Sequence, residues 1–283
     1  MRTQIKAAII AFLGLITSAC SPASVLNTLL VPNSGYTVKR DIAYGSEERQ
    51  KLDIYIPDNV AASAPVLLFL YGGSWQMGSR NIYKFLGQAF ASKGIVTVVA
   101  DYRLYPQVKY PAFLQDTALA FKFVHDHIAD YGGDPKKLFI AGHSAGAYNV
   151  VMLDSDLHYL KDVGADPEWI RGVIGISGPY DFLPLKDPKL IDMFGGDHVE
   201  ATQPITYIDG KRAPMLLVTG TDDDTVGPGN TGRMARKLRA AGSAVETKYY
   251  PGTGHIGIIL SLAPAFRGNT TLREDITQFV MTH

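Results

Sequence analysis

The chain has 283 residues, 46% of them apolar or aromatic and 19% charged, an ordinary globular composition that suits one large α/β domain or two small ones. Lys plus Arg equals Asp plus Glu at 27 each, so no strongly basic face is implied and nucleic acid is not an expected partner. Cys20 is the only cysteine, which leaves no intrachain disulfide; the domain must be stable from its core alone.

The first residues read as a targeting segment. Arg2 and Lys6 supply positive charge, and the apolar run 7–16 is too short to span a bilayer as a helix. Thr17-Ser18-Ala19 are small residues of the kind that precede a cleavage point, giving an expected signal peptide over 1–19. The position of Cys20 resembles a bacterial lipobox, in which the cysteine carries lipid and becomes the mature N-terminus, although Thr17 stands where Leu is usual. The expectation is an exported chain held at a membrane through lipid on Cys20, facing the periplasm or cell envelope. Ordinary secretion and a retained membrane anchor are the alternatives. Residues 20–36, with Pro22, Pro32, Asn33, Ser34 and Gly35, read as a tether with one short apolar helix around 25–30.

From there to the C-terminus strands and helices alternate. Leu52-Asp53-Ile54-Tyr55-Ile56 alternates as a half-exposed strand does. The runs 66–70, 95–100, 173–176 and 215–218 are continuously apolar, as in strands covered on both faces, and 245–250 reads as a last strand. The clearest helix covers 112–131, with Leu114, Ala118, Phe121, Val124 and Ile128 on one stripe. This rhythm predicts an α/β domain over 37–283 with a mostly parallel central sheet of about eight strands and helices on both faces. Stretches near 154–171 and 180–212 interrupt it and are expected to form a small cap over a cleft.

Gly142-His143-Ser144-Ala145-Gly146 follows the apolar run 138–141 and precedes a stretch able to continue as a helix. A strand, a Gly-x-Ser-x-Gly turn and a helix make a nucleophile elbow. Serine at its ordinary pKa needs a histidine base, which needs a carboxylate to fix its tautomer. In this arrangement the chain order is Ser, acid, His. After the run 215–218 come Asp222, Asp223 and Asp224; the spacing Gly-x-x-Asp-x-x-Val favours Asp223, with its neighbours as alternatives and a solvated loop or weak calcium site as the bland reading. His255 follows in a Gly-rich loop after the last strand. His125 lies on a helix stripe, and His143 is expected to point away from the serine. The oxyanion of a tetrahedral intermediate needs preorganised N–H donors. Ala145 should supply one, and Tyr71-Gly72-Gly73-Ser74-Trp75 the others, with Gly73 and Ser74 favoured and Gly72 also a candidate. Trp75, Tyr180 and Phe182 are weak candidates for pocket lining.

Tyr71-Gly-Gly-Ser-Trp75, Asp101-Tyr102-Arg103-Leu104, Tyr131-Gly-Gly-Asp-Pro135 and the Gly142–Gly146 motif are similar in order and spacing to α/β-hydrolase carboxylesterases. The group includes hormone-sensitive-lipase-like, feruloyl-esterase-like and acetyl-esterase-like enzymes, and isoprenylcysteine methylesterases share much of the same run. The resemblance covers about 36–283. It implies that Asp101, Tyr102 and Arg103 brace the glycine loop. That family usually has His where this chain has Tyr71, and often Gly at Ser74. The implied activity is hydrolysis of small carboxylic esters, short-chain for want of a large lid, through an acyl-enzyme on Ser144, with no metal or organic cofactor. An amidase, formamidase or exopeptidase would use the same triad, and a catalytically silent surface binding protein is the remaining alternative.

Overall fold

In the computed structural model the described residues are Asn27, 31–61 and 63–283. The expected signal peptide, the Cys20 lipidation site and, Asn27 apart, the short tether helix lie outside them. The strands are β1 (Tyr36–Ala43), β2 (Lys51–Pro57), β3 (Ala64–Leu70), β4 (Val96–Ala100), β5 (Gly133–His143), β6 (Ile170–Ile176), β7 (Met215–Gly220) and β8 (Val245–Tyr250). They form one eight-stranded sheet in the order β1-β2-β4-β3-β5-β6-β7-β8. β2 is antiparallel to both β1 and β4, and every other pairing is parallel. The helices between strands are α1 (Lys84–Ala91), α2 (Ala112–His127), α3 (Ala145–Ser155), α4 (His158–Asp162), α5 (Pro188–Phe194), α6 (Gly229–Ala240), α7 (His255–Leu260) and α8 (Leu272–Thr282).

The burial of each strand follows its place in that order. β4 and β7 have no exposed position, because central parallel strands are covered on both faces. The edge strands β1 and β8 carry charge instead, including Lys39, Glu246 and Lys248, which discourages pairing with another chain. α2 buries its expected stripe, ends at His127, and continues as a single 3-10 turn to Tyr131, where Gly132 takes φ 82° and turns the chain into β5. His125 is not in the core: it is part-exposed and stacks flat on Trp169, ring centroids 3.6 Å apart.

β2 differs from its expected half-exposed alternation, since Leu52, Asp53, Ile54 and Tyr55 are all buried. The reason is electrostatic. Asp53 accepts from Nε of the buried Arg80 at 2.9 Å and from the Asp41 amide at 3.0 Å. The same guanidinium pairs with Asp101, just past the end of β4. One buried cation thus lets two carboxylates be covered where alternation alone would leave a polar face in water.

Chain order in the sheet reverses at β3: β4 lies on one side of it and β5 on the other. A crevice opens beyond the carboxyl ends of the strands at such a switch point. The expected cap stretch near 154–171 lies elsewhere. It carries the chain from α3 through α4 to the amino-terminal end of β6, at the opposite edge of the sheet. The stretch 180–212 forms α5 and several 3-10 turns, and it packs Phe182 and Phe194 onto Trp75 and Tyr148.

Replacing Arg80 by Met should strip Asp53 and Asp101 of their shared buried cation, leaving only the more exposed Arg40 and Arg49 at 3.3 and 3.7 Å, and cost about 3–5 kcal/mol. Urea unfolding of Arg80→Met against the parent chain measures this, and an unchanged midpoint would contradict the assignment.

Candidate active site

The site is built on three passes of backbone in contact. Ser144 sits between β5 and α3 with φ 54° and ψ −121°, a conformation that costs a non-glycine residue about 1–3 kcal/mol and persists only when its surroundings enforce it. Here the enforcement is steric. A Cβ on Gly142 would lie 2.2 Å from the Gly146 carbonyl oxygen, and one on Gly146 would lie 2.1 Å from the Leu70 carbonyl oxygen. The turn is therefore closed against both itself and the end of β3. The Ser144 amide donates to the Ile176 carbonyl at 2.9 Å, tying the elbow to β6 as well.

The loops after β7 and β8 extend the strand pairing. Thr221 N–H donates to the Tyr250 carbonyl and Asp222 N–H to the Thr253 carbonyl. Gly220 permits this approach, since a Cβ there would stand 1.9 Å from the Thr253 oxygen. The result brings Asp223 against His255, whose Nδ1 lies 2.9 and 3.0 Å from the two carboxylate oxygens. Asp223 is buried, whereas Asp222 and Asp224 are exposed, so the acid that meets His255 is the one the spacing favoured over its two neighbours. Burial pushes the Asp223 carboxyl up, but hydrogen bonds from His255 and the Val226 amide outweigh it and hold the carboxyl below its ordinary value. Among the described residues no group of three or more His, Cys, Asp or Glu is placed to hold a metal ion.

His143 was not anticipated. Its Nε2 lies 3.0 Å from the His255 carbonyl oxygen and its ring centroid 4.8 Å from that of His255. Since a carbonyl can only accept, Nε2 carries the proton and the ring is the Nε2–H tautomer. Burial, then the neighbouring His255, push the His143 pKa down to about 3. The x position of the Gly-x-Ser motif was the available signal; its partner, a backbone carbonyl 112 residues away, was not visible.

The glycine loop leaves β3 against the elbow, and a Cβ on Gly72 would meet the Ser144 Cβ at 2.8 Å. Gly73 has φ +129° and no room for a side chain beside the Met77 carbonyl, 2.2 Å from its would-be Cβ. Ser74 and Trp75 follow at φ 51° and 57°. Among the described residues neither the Gly73 nor the Ser74 amide donates to a protein acceptor, and the Ala145 amide opens α3 without a side-chain cap. Gly72 is placed differently, with its N–H beside the Tyr83 phenol; burial pushes that phenol up to about 12 against the amide's opposing effect. Tyr71 anchors the loop in place of His: its hydroxyl donates to Asp101 at 2.6 Å and accepts from Arg49 at 2.7 Å, while Tyr102 donates to the Tyr71 carbonyl at 2.8 Å. Arg103 does not join this brace. It pairs with the buried Asp116, and Arg49 takes the expected place by also donating to the Gly78 and Tyr102 carbonyls.

Ser144, His143, His255, Gly73 and Ser74 line one open cleft of about 550 Å³, with Met77, Ile82 and Ile256 among its apolar neighbours. The ring hydrogen bonds of His255 run to Asp223 and none joins it to Ser144 Oγ; catalytic hydrogen bonds of this kind often tighten only in the complex with substrate. Trp75, Tyr180 and Phe182 are corrections: none lines this cleft. Trp75 is buried and donates to Asn149, Tyr180 is buried, and Phe182 packs beside Trp75, because the 180–212 stretch closes over an aromatic cluster instead of the serine. Another depression of similar volume, lined by Asp154 and Arg212, lies at the opposite edge of the sheet and has no Ser, Thr, Cys or His in its lining.

Comparison with known proteins adds the family. A family model described as BD-FAE matches residues 52–238, about two thirds of the chain. The chain is 28% identical over 268 residues to a probable isoprenylcysteine alpha-carbonyl methylesterase of Arabidopsis thaliana, covering 86% of this chain and 56% of that one. It is 30% identical over 189 residues to the kynurenine formamidase of Salmo salar, covering 66% and 60%. The chain thus spans less than two thirds of the length of these relatives. A solved structure of esterase B from Lactobacillus rhamnosis superposes with a TM-score of 0.79 at 18% identity, covering 99% of this chain and 95% of that one, which supports the fold. With an elbow, a crossover order and a glycine loop all where that fold requires them, the chain belongs to the BD-FAE family of the α/β-hydrolase fold.

Proposed function

We propose that this protein hydrolyses carboxylic esters of short acyl chain through an acyl-enzyme on Ser144. The observation that carries the reading is the buried Asp223–His255 pair, opening on the same cleft as a strained serine and the unpartnered Gly73 and Ser74 amides. Relatives named as esterases support it.

In this mechanism His255 takes the Ser144 proton as the hydroxyl attacks the ester carbonyl. The carbonyl oxygen becomes an oxyanion held by the amides of Gly73, Ser74 and Ala145, each such donor contributing about 2.7–4 kcal/mol. His255 then protonates the departing alcohol, leaving the acyl group on Ser144. Water attacks the acyl carbon as it gives a proton to His255, and His255 returns that proton to Ser144 Oγ as the ester bond to the serine breaks and the acid leaves. Asp223 stays ionised throughout, because its hydrogen bonds favour the carboxylate, and holds the imidazole with Nε2 toward the serine. His143 acts through the His255 backbone and is a positioning residue. As a buried neutral ring it adds no positive charge beside an imidazole that must accept a proton. The expected export and Cys20 lipidation complete the proposal as to where the enzyme works.

Ser144→Ala should fold normally and lose turnover of p-nitrophenyl acetate on the order of 10⁴-fold or more. It should also lose labelling by a fluorophosphonate probe that marks the parent chain; retained burst kinetics would sink the assignment. The matching p-nitroanilide, turned over faster than the ester, would instead select an amidase.

A second test concerns acid stability. The unfolded chain binds a proton at His143 below the ordinary histidine value of about 6.5. The folded chain refuses it until about pH 3. The unfolded state then holds more protons across that window, so stability drops as pH drops. His143→Gln, which can still donate to the His255 carbonyl, should lose less stability between about pH 7 and about pH 4.5 in urea titrations. Parallel losses in the two chains would contradict a neutral buried ring.

A further inference from the structure

Among the described residues only five large hydrophobic side chains are exposed, and three of them, Met77 (67%), Ile82 (37%) and Ile256 (59%), line the Ser144 cleft. They come from two separate segments, the loop after β3 and the start of α7, so their meeting is a product of the fold and not of one apolar stretch. Exposed apolar clusters of this kind mark surfaces that meet another apolar phase.

The chain upstream of the domain is fastened to the same rim. The Asn27 side chain is buried; its Nδ2 donates to the Asn81 and Ile82 carbonyls at 3.1 and 2.7 Å, and its Oδ1 accepts from the Phe85 amide at 3.3 Å. Lys84 Nζ donates to the Asn27 carbonyl at 3.0 Å and to Asn33 Oδ1 at 2.6 Å. Ile82 and Phe85 themselves line the cleft. Cys20, the expected lipid attachment point, is seven residues before Asn27, and seven residues reach at most about 25 Å. A lipid on Cys20 would therefore hold the cleft mouth, and not the far side of the domain, next to the bilayer. The tether only brings this face near the bilayer; direct contact needs an apolar surface on the face itself. The aliphatic rim has the chemistry for it.

We propose that the rim formed by Met77, Ile82 and Ile256 docks on a phospholipid surface, so that the cleft draws its ester from that surface. On this reading the substrate has a short acyl group on an otherwise apolar, membrane-partitioning molecule, in preference to an ester of a sugar. The substrate half rests on the hydrolase function proposed above; the docking half does not.

The test places a polarity-sensitive fluorophore on the full chain carrying Cys20→Ser, at Met77→Cys, at Ile256→Cys, or at Tyr249→Cys as a control. Tyr249 is exposed on β8 and does not line the cleft. Phosphatidylcholine–phosphatidylglycerol vesicles containing a doxyl-labelled lipid are added in excess. The expected result is a blue shift and quenching of the labels at 77 and 256, with the label at 249 unchanged. Labels at 77 and 256 that stay in a watery environment, or a label at 249 that responds equally, overturn the proposal. So does a blue shift before any lipid is added: if it grows with protein concentration the rim meets a second copy, and if it does not the chain's own upstream segment covers it. Turnover of p-nitrophenyl acetate by the unsubstituted chain in buffer reports the hydrolase reading separately. An active chain with silent labels refutes docking alone, and an inactive chain with responsive labels refutes hydrolysis alone.

Discussion

The structure depends on a close contact of backbone with backbone. Where β5 turns into α3, the elbow closes on its own second glycine and that glycine closes on the last carbonyl of β3. No side chain can intervene at Gly142 or Gly146, and none can intervene at Gly72 beside the serine. This contact fixes the serine in a backbone conformation it would not otherwise hold and sets the glycine loop next to it. It joins nucleophile and amides as one rigid object, which is what a preorganised oxyanion site requires.

Charge secures the periphery of that object. Arg80 and Arg49 carry the cationic side, and Asp53 and Asp101 the anionic side, of a largely buried network joining β2, the end of β4 and the loop after β3. Asp101 is its hub. It accepts from the Tyr71 phenol and the Arg80 amide through one oxygen and pairs with the Arg80 guanidinium through the other. The phenol donates to a carboxylate, as a histidine N–H could, and adds a stacked ring against Tyr83 and Tyr102. That is how the loop keeps its place although the usual histidine is missing. On the far side of the serine, continued pairing of the loops after β7 and β8 does the corresponding work for acid and base.

The apolar side of the cleft has a different origin. The 180–212 stretch turns away to cover an aromatic cluster around Trp75 and Tyr148, so it does not roof the serine. The mouth is left to aliphatic side chains from the glycine loop and α7. Among the described residues no helix is long and apolar enough to cross a membrane.

The strands and α2 were legible because their apolar periodicity is local, and the elbow because a sharp strand-to-helix turn restricts which residues fit. The order of serine, acid and histidine was legible for the same reason, since each follows a strand that announces itself. Alternation misread β2, because a cation 27 residues away in sequence neutralises Asp53. Spacing favoured Asp223 over Asp222 and Asp224, and the pairing that brings Thr253 against Gly220 is what turns it toward the imidazole. Trp75, Tyr180 and Phe182 looked like pocket residues because aromatic side chains suit both cores and clefts, and burial is a property of the assembled chain. Arg49 in place of Arg103, and His143 on the carbonyl of His255, were likewise decided in three dimensions. The sequence by itself determined which segments are strands, where the chain must turn sharply, and which three residue types stand at the turns. Tertiary structure alone decided which polar atoms meet, because a hydrogen bond depends on distances of a few ångströms between segments whose separation along the chain carries no record of it.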